Sequence, residues 1–199
     1  MAPPLVSRLG PEAHSFVLVG SYDGDLYAID EFGAMRWRYH TDGSIISQPA
    51  VLDANNDGKL EVVFGSCDDK VYLLSTSGAK IWSFETDFWV VASPLVLDFD
   101  QDGFTEILVG SYDHNVYVLE PSGKYALNYV PGVALASHQM GHYGEEMTFA
   151  PGEFKGSRIW QYKTDDLVVG LASFVGKEGN QYVLASVKAG TVDVFLHVR

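Results

Sequence analysis

The sequence predicts an all-β fold, a β-propeller or partial propeller of four-stranded antiparallel blades, about four to five blade equivalents in all. A strict repeat, the strand pattern inside it and the turn residues between the strands lead to this reading. Gly20, Gly65 and Gly110 follow one another at intervals of 45 residues. They sit in the matching stretches Val17-Leu-Val-Gly-Ser-Tyr-Asp23, Val62-Val-Phe-Gly-Ser-Cys-Asp68 and Ile107-Leu-Val-Gly-Ser-Tyr-Asp113. Gly33, Gly78 and Gly123 keep the same interval, as do Tyr27, Tyr72 and Tyr117, Pro4, Pro49 and Pro94, and Trp37 and Trp82. Self-similarity at 40 to 50 residues, with room for four short strands per unit, is the signature of a propeller blade.

Within the second unit, residues 49–52 form a first apolar run and residues 60–66 a second. Residues 70–74 read as a third strand, and residues 79–84 as a fourth, with Lys80, Ser83 and Glu85 giving it a wetter face. Asp-Gly, Ser-Gly and Asp-Asp pairs punctuate the runs, as hairpins require. The chain then divides, as one domain of residues 1–199, into blades at 4–48, 49–93 and 94–138, an irregular stretch at 139–167 and an incomplete last blade at 168–199. In the irregular stretch the Trp-bearing strand returns at residues 158–164, with Trp160 lying 78 residues after Trp82 instead of 90. About one strand's worth of sequence is expected to be missing or remodelled there. The last blade shows strands near 168–174, 181–186 and 191–197 and lacks a fourth. The ring therefore closes with an irregular blade or is an arc completed by something else.

Bulk properties narrow the function. The 47% hydrophobic and 20% charged composition is that of a globular protein. Eleven Tyr, 11 Phe, four Trp and 20 Gly favour strands and tight turns. The formal charge of −13 opposes binding to nucleic acid, whose phosphates need basic residues, and to an anionic membrane surface. Cys67 is the single cysteine, so no internal disulfide forms. No run of 18 apolar residues predicts a transmembrane helix, and residues 1–6 lack the basic and apolar regions of a signal peptide.

Part of the acidity is concentrated in two loops. Between the first and second strands of the second and third units lie Asp53-Ala-Asn55-Asn-Asp57-Gly-Lys59-Leu-Glu61 and Asp98-Phe-Asp100-Gln-Asp102-Gly-Phe104-Thr-Glu106. Alternate residues can turn oxygens inward, the glycine allows a sharp turn, and the seventh position, Lys59 or Phe104, offers its carbonyl. Such oxygen-only sets suit Ca²⁺, which takes six to eight ligands. The loops are not EF-hands, since the twelfth position is Phe64 or Val109 inside an apolar strand. Four carboxylates in the second loop against three plus Asn55 in the first predict tighter binding at the second. Residues 7–15 and 176–180, at the same phase, lack the pattern. Filling both sites takes the formal charge from −13 to −9, and the expected role of the ion is to pin a loop.

These units, Val-Leu-Asp-x-[Asp/Asn]-x-Asp-Gly-x-x-Glu followed by an apolar strand and Gly-Ser, resemble FG-GAP (integrin α-type) repeats. The continuation Gly20-Ser-Tyr-Asp-Gly-Asp-Leu-Tyr-Ala-Ile-Asp30-x-x-Gly33-x-x-x-Trp37 resembles the blade motif of PQQ-like quinoprotein propellers. The resemblance covers residues 4 to about 138. It implies the propeller fold and the calcium loops, and leaves activity open because such propellers host adhesion, scaffolding and catalysis.

Other features were weighed against packing. His138, His142, Glu145 and Glu146 hold metal-ligand chemistry, but two histidines four apart need a helix to converge, and the stretch is Gly-rich. The departure from the repeat at residues 138–156 is a place where a partner site would be grafted. Trp37, Trp82, Trp160, Tyr27, Tyr72 and Tyr117 recur at blade phase and read as inter-blade packing. Trp89 falls outside that phase, just before an inner strand, and facing a channel mouth and a ligand is the minority reading for it. Cys67 replaces Tyr22 and Tyr112 in register and reads as a packing residue. No nucleophile elbow, phosphate loop or dinucleotide motif occurs. The expectation is a non-catalytic, calcium-binding module for a protein or glycan partner, completed by another chain or by self-association. The alternative is a relative of a PQQ-dependent dehydrogenase or a polysaccharide-degrading propeller enzyme. Known alcohol-oxidising relatives of that kind carry adjacent, disulfide-bonded cysteines, which Cys67 alone cannot supply. Calcium loops of the weaker, millimolar class point to an extracellular or periplasmic setting.

Overall fold

The computed structural model describes residues 2–9, 14–98, 105–121, 157–164, 166–176, 181–190 and 192–196. They form four antiparallel sheets. The first comprises β1 (Leu5–Arg8), β2 (Ser15–Gly20), β3 (Asp25–Asp30) and β4 (Met35–His40), in that order across the sheet. The second repeats the layout with β5 (Ala50–Leu52), β6 (Glu61–Gly65), β7 (Lys70–Leu74) and β8 (Lys80–Glu85). The third comprises β9 (Leu95–Leu97), β10 (Glu106–Gly110), β11 (Asn115–Glu120) and β12 (Ser157–Lys163), and the fourth β13 (Val168–Val175), β14 (Gln181–Val187) and β15 (Val192–Leu196). Four sheets of this kind make a partial propeller. No helix of the described residues is long and apolar enough to cross a membrane.

The third sheet differs from the division expected from the sequence. Its fourth strand is β12, paired with β11 through Asn115 opposite Lys163 and Val116 opposite Tyr162. The blade therefore does not end at residue 138, and residues 157–163 belong to it, not to an irregular unit of their own. The 78 residues from Trp82 to Trp160 are one 45-residue period plus 33, an insertion and not a lost strand. An outer strand needs only its inner neighbour, and closing a longer surface loop costs little, because loop entropy grows only logarithmically with length. Residues 139–156 lie outside the described residues.

Both faces of the middle sheets are buried, which explains why their inner strands read as continuous apolar runs. Val62, Phe64, Tyr72 and Leu74 point back to the first sheet, where they pack with Leu18, Leu26, Ala28 and Ile45. Val63, Val71 and Leu73 point forward and meet Ile107, Val109, Tyr117 and Leu119 of the third sheet. Leu108, Val116 and Val118 continue forward onto Val168, Val183 and Ala185 of the fourth. The strand period of two thus assigns each residue to one of two inter-sheet cores. Each fully buried aliphatic side chain contributes about 1.5–3 kcal/mol. Phe64 stacks on Tyr72 with ring centroids 5.3 Å apart. Gly65 marks the closest approach of link and strand, since a Cβ there would lie 2.7 Å from the Val90 carbonyl oxygen.

Polar groups clasp the sheets together at one end. Thr41, Thr86 and Thr164 follow the last strand of the first three sheets and donate their amides to the carbonyls of Gly24, Asp69 and His114 at 2.8, 2.8 and 2.6 Å. Gly24, Asp69 and His114 all have positive φ, of 88°, 67° and 72°. The threonine hydroxyls reach the same carbonyls and those of Gly43, Phe88 and Asp166. The chain then crosses to the next sheet: Cys67 N donates to Ser44 O, Tyr112 N to Trp89 O and Lys188 N to Leu167 O, at 2.8–3.0 Å. Tyr72 and Tyr117 donate their phenols to Asp68 and Asp113 at 2.6 Å, and the same carboxylates accept the amides of Asp42 and Asp87. Burial, and secondly the bond to the aspartate, pushes both phenols far above the ordinary tyrosine range. Trp37 and Trp82 complete each joint by donating their indole N–H to Thr76 O and Pro121 O of the next sheet.

Thr86→Val removes the buried hydroxyl while keeping the branched shape, so Asp69 O keeps only the residue 86 amide and Phe88 O loses its closest donor. It is expected to lower unfolding stability by about 1–3 kcal/mol in urea titrations, with Thr86→Ser recovering most of the loss.

Candidate functional site

The loop joining β5 to β6 holds the first set of oxygen donors. Asp53 leaves β5 just after Leu52, and the backbone turns through positive φ at Asn56 (56°) and Gly58 (81°). The latter is a conformation that glycine adopts without steric cost. Asp53 accepts the amides of Asp57 and Gly58 at 3.0 and 2.7 Å, Asn55 accepts that of Asp57 at 3.0 Å, and Asp57 accepts that of Lys59 at 2.8 Å. Glu61 opens β6, paired with Leu52, and accepts the Ala54 amide at 2.9 Å. Burial raises the Glu61 carboxyl above the ordinary range, and the charges of Asp57 and Asp53 raise it further. The amide of Lys59, first among several contacts, lowers that of Asp57. The Lys59 ammonium stands 3.5 Å from Asp57.

Asp53, Asn55, Asp57, Lys59 and Glu61 thus share one loop, and a buried, raised carboxyl beside two further carboxylates is electrostatic chemistry that a cation relieves. Among the described residues, however, no three His, Cys, Asp or Glu side chains converge closely enough to hold a metal ion. The loop oxygens are instead turned onto the loop's own amides. In the second loop Asp98 is half-buried and Glu106 is buried at the start of β10, opposite Leu97 as Glu61 is opposite Leu52. Asp100, Asp102 and Phe104 fall outside the described residues, as do His138, His142, Glu145 and Glu146.

A second site is built on the link between the second and third sheets. Phe88 and Trp89, each 44% exposed, stack with centroids 5.2 Å apart and planes 6° from parallel. Tyr112 of the next sheet joins them at 6.4 Å from Trp89, positioned by its amide bond to the Trp89 carbonyl. Asp87 lies exposed beside the ledge, its amide held by Asp113 at 3.0 Å. The first link has Gly43 and Ser44 at these positions and the third Asp166 and Leu167, so the ledge occurs at a single joint among the described residues. Sequence reasoning singled out Trp89 but passed over Phe88, and it read Tyr112 as a repeat residue. The signal was the same: two adjacent aromatic residues where the other links place Gly43-Ser44 and Asp166-Leu167. Burial, and then the charges of Asp68 and Asp69, push the thiol of half-buried Cys67 up, away from the thiolate form.

Solved structures of similar shape are propellers. The chain superposes on BBS1N, crystallised in complex with ARL6DN, with a TM-score of 0.63 at 15% identity, covering 98% of this chain and 51% of that one. It superposes on BamB from Moraxella catarrhalis with a TM-score of 0.55 at 17% identity (90% and 45% covered), and on the WD40 β-propeller domain of Doa1 with 0.55 at 14% (90% and 46% covered). The chain spans about half the length of these solved chains, and at such identities the likeness is one of fold. No curated protein matches the sequence. The model of the Lambda-carrageenase beta-propeller domain matches residues 16–135, a span that runs from β2 of the first sheet through β11 of the third. The chain belongs to the Lambda-carrageenase beta-propeller domain family.

Proposed function

We propose that this chain is a non-catalytic, calcium-stabilised propeller scaffold that presents an aromatic ledge to a glycan. The observation that carries the reading is the stack of exposed Phe88 and Trp89 with half-buried Tyr112, beside Asp87. Ring faces and edges of this kind accept the apolar C–H face of a sugar, while an exposed carboxylate accepts its hydroxyl protons. With a net charge of −13, the ligand that suits the ledge is neutral and hydroxyl-rich. A protein partner docking on the same aromatics is the neighbouring possibility within the scaffold role, which is also the role in which BBS1N is seen, in complex with ARL6DN. The match to a carrageenase propeller domain favours a second reading, in which the scaffold is one part of a polysaccharide-degrading enzyme. Release of reducing ends from polysaccharides by the purified chain would establish that reading and remove the non-catalytic one.

Calcium enters as a structural ion at Asp53, Asn55, Asp57, the Lys59 carbonyl and Glu61, and at Asp98, Asp100, Asp102, the Phe104 carbonyl and Glu106. The resemblance of both loops to FG-GAP repeats supports this, as does the oxygen-only donor set around the raised Glu61 carboxyl. Binding of this class belongs with an extracellular or periplasmic setting.

Titration calorimetry against neutral polysaccharides tests the ledge. Trp89→Ala is expected to weaken binding about tenfold or more at unchanged melting temperature, and undiminished affinity would remove the ledge from the site. Calcium at a hundredfold its dissociation constant contributes about 2.7 kcal/mol per site. In a chain of this size that raises the melting temperature by roughly 5–10 °C over EGTA. Asp53→Ala is expected to lose part of that shift, and an identical melt with and without calcium would end the proposal. A pH effect accompanies it. Because the folded Glu61 carboxyl is raised, the native state holds its proton more tightly than the unfolded chain does. Without calcium its contribution to stability is therefore full below the ordinary carboxylate range and declines as pH rises through the raised value. Glu61→Gln is expected to abolish that part of the pH dependence, measured as the difference between wild-type and variant unfolding curves.

A further inference from the structure

We propose that the outer face of the first sheet is the receiving surface for one more propeller blade, whose last strand and link carry the pattern Trp-x-aromatic-x-Thr-Asp-x-x-Ile/Val. That pattern stands three times in this chain, from Trp37 to Ile45, Trp82 to Val90 and Trp160 to Val168. At the joints formed by the first two, it meets a fixed set of partners on the following sheet. The first sheet possesses the same set with nothing described against it.

The apolar part is the clearest. Val62, Phe64, Tyr72 and Leu74, and 45 residues later Ile107, Val109, Tyr117 and Leu119, are buried against the preceding sheet. Their counterparts Val17, Val19, Tyr27 and Ile29 form one patch, because Val17 pairs with Ile29 and Val19 with Tyr27. All four are only partly buried, while Leu18, Leu26 and Ala28 on the other face are fully buried.

The tryptophan seat is present as well. At Gly78, φ is 82°, and a Cβ would lie 2.7–2.9 Å from the indole of Trp37, so the ring rests on the glycine. Gly33 has the same φ of 82° and open space above it. The carbonyls of Thr76 and Pro121 accept the indoles of Trp37 and Trp82, and Glu31 occupies that position in the first sheet.

The polar clasp repeats the asymmetry. Ser66 Oγ lies 3.1 Å from Thr41 Oγ1, and Ser111 Oγ lies 2.9 Å from Phe88 O. All three serines also accept the amide two residues on, and for Ser21 Oγ that bond from Asp23 N is its one partner among the described residues. Asp68 and Asp113 each bind a phenol and an amide of the incoming link, whereas the Asp23 oxygen bound by Tyr27 meets no such amide among the described residues. Cys67, Tyr112 and Lys188 donate their amides to the incoming link, and Tyr22 N has no acceptor among the described residues.

The occupant is thereby specified by chemistry: an aliphatic sheet face, an indole for Gly33, a threonine for Ser21, an amide for Asp23 and a carbonyl for Tyr22. The fourth sheet of a second copy does not meet this list, since no tryptophan follows Trp160 in the sequence.

The full chain extended at its start by a second copy of its own residues 46–90, joined to Met1, keeps the 45-residue register and presents the pattern to the first sheet. Hydrogen exchange at the Tyr22 amide is expected to slow at least tenfold relative to the unextended chain. Trp82→Ala with Thr86→Val in the added copy alone should abolish the gain. Unchanged exchange at Tyr22 in a folded extension overturns the proposal. A second measurement needs no extension. Val19→Asp in the chain as it stands is expected to leave the melting temperature nearly unchanged, while Val109→Asp, at the same blade position, lowers it by ten degrees or more. Equal losses at the two positions, or a dimer by light scattering that Val19→Asp dissociates, would show the face already covered and refute the proposal.

Discussion

The structure depends on the threonine-centred link that carries the chain from one sheet to the next. Thr41, Thr86 and Thr164 each close the end of one sheet by binding the carbonyl of a residue held at positive φ. Within the next four residues the backbone bonds to the following sheet. Each link therefore satisfies polar groups of two sheets around a buried threonine at its start and a buried aliphatic residue at its end, where an unpaired amide or carbonyl costs about 1–3 kcal/mol. It also sets the distance at which Gly20, Gly65 and Gly110 pass beneath Ile45, Val90 and Val168. Side chains larger than hydrogen at these glycines would push the sheets apart and open the aliphatic cores between them.

The proposed glycan ledge lies at a departure from that device. A change in the link's threonine or its aliphatic anchor weakens the joint, whereas the two side chains between Asp87 and Val90 are exposed and carry none of its buried contacts. Phe88 and Trp89 stand there, and Tyr112 meets them because the next sheet is held in register by the same link. The two acidic loops occupy another permissive place, the connection between the short first strand of a sheet and its neighbour. Glu61 and Glu106 there sit at the buried start of β6 and β10, and residues 53–59 of the first loop lie between the strands.

Most of the fold could be read directly, because a 45-residue period without insertions leaves landmarks such as Tyr27, Tyr72 and Tyr117 in plain sequence register. The reading failed at the third sheet for a physical reason. Strand order records hydrogen bonding, not distance along the chain, and β12 pairs with β11 across 36 intervening residues, from 121 to 156. Counting periods from Trp82 therefore mistook an insertion for a deletion. The two acidic loops were legible as oxygen donors in a row. Whether their oxygens face a cation or their own amides depends on side-chain torsions, which spacing does not encode.

By itself the sequence determined the blade, its repeat and which residues alternate between two faces, since a strand's period of two and its turn residues are local properties. Only the tertiary structure decided which sheet each face meets. The Val17, Val19, Tyr27 and Ile29 set has the same composition as its buried counterparts in the next two sheets, so no local signal separates them. Burial is a property of neighbours, and the first sheet's outer face has none among the described residues.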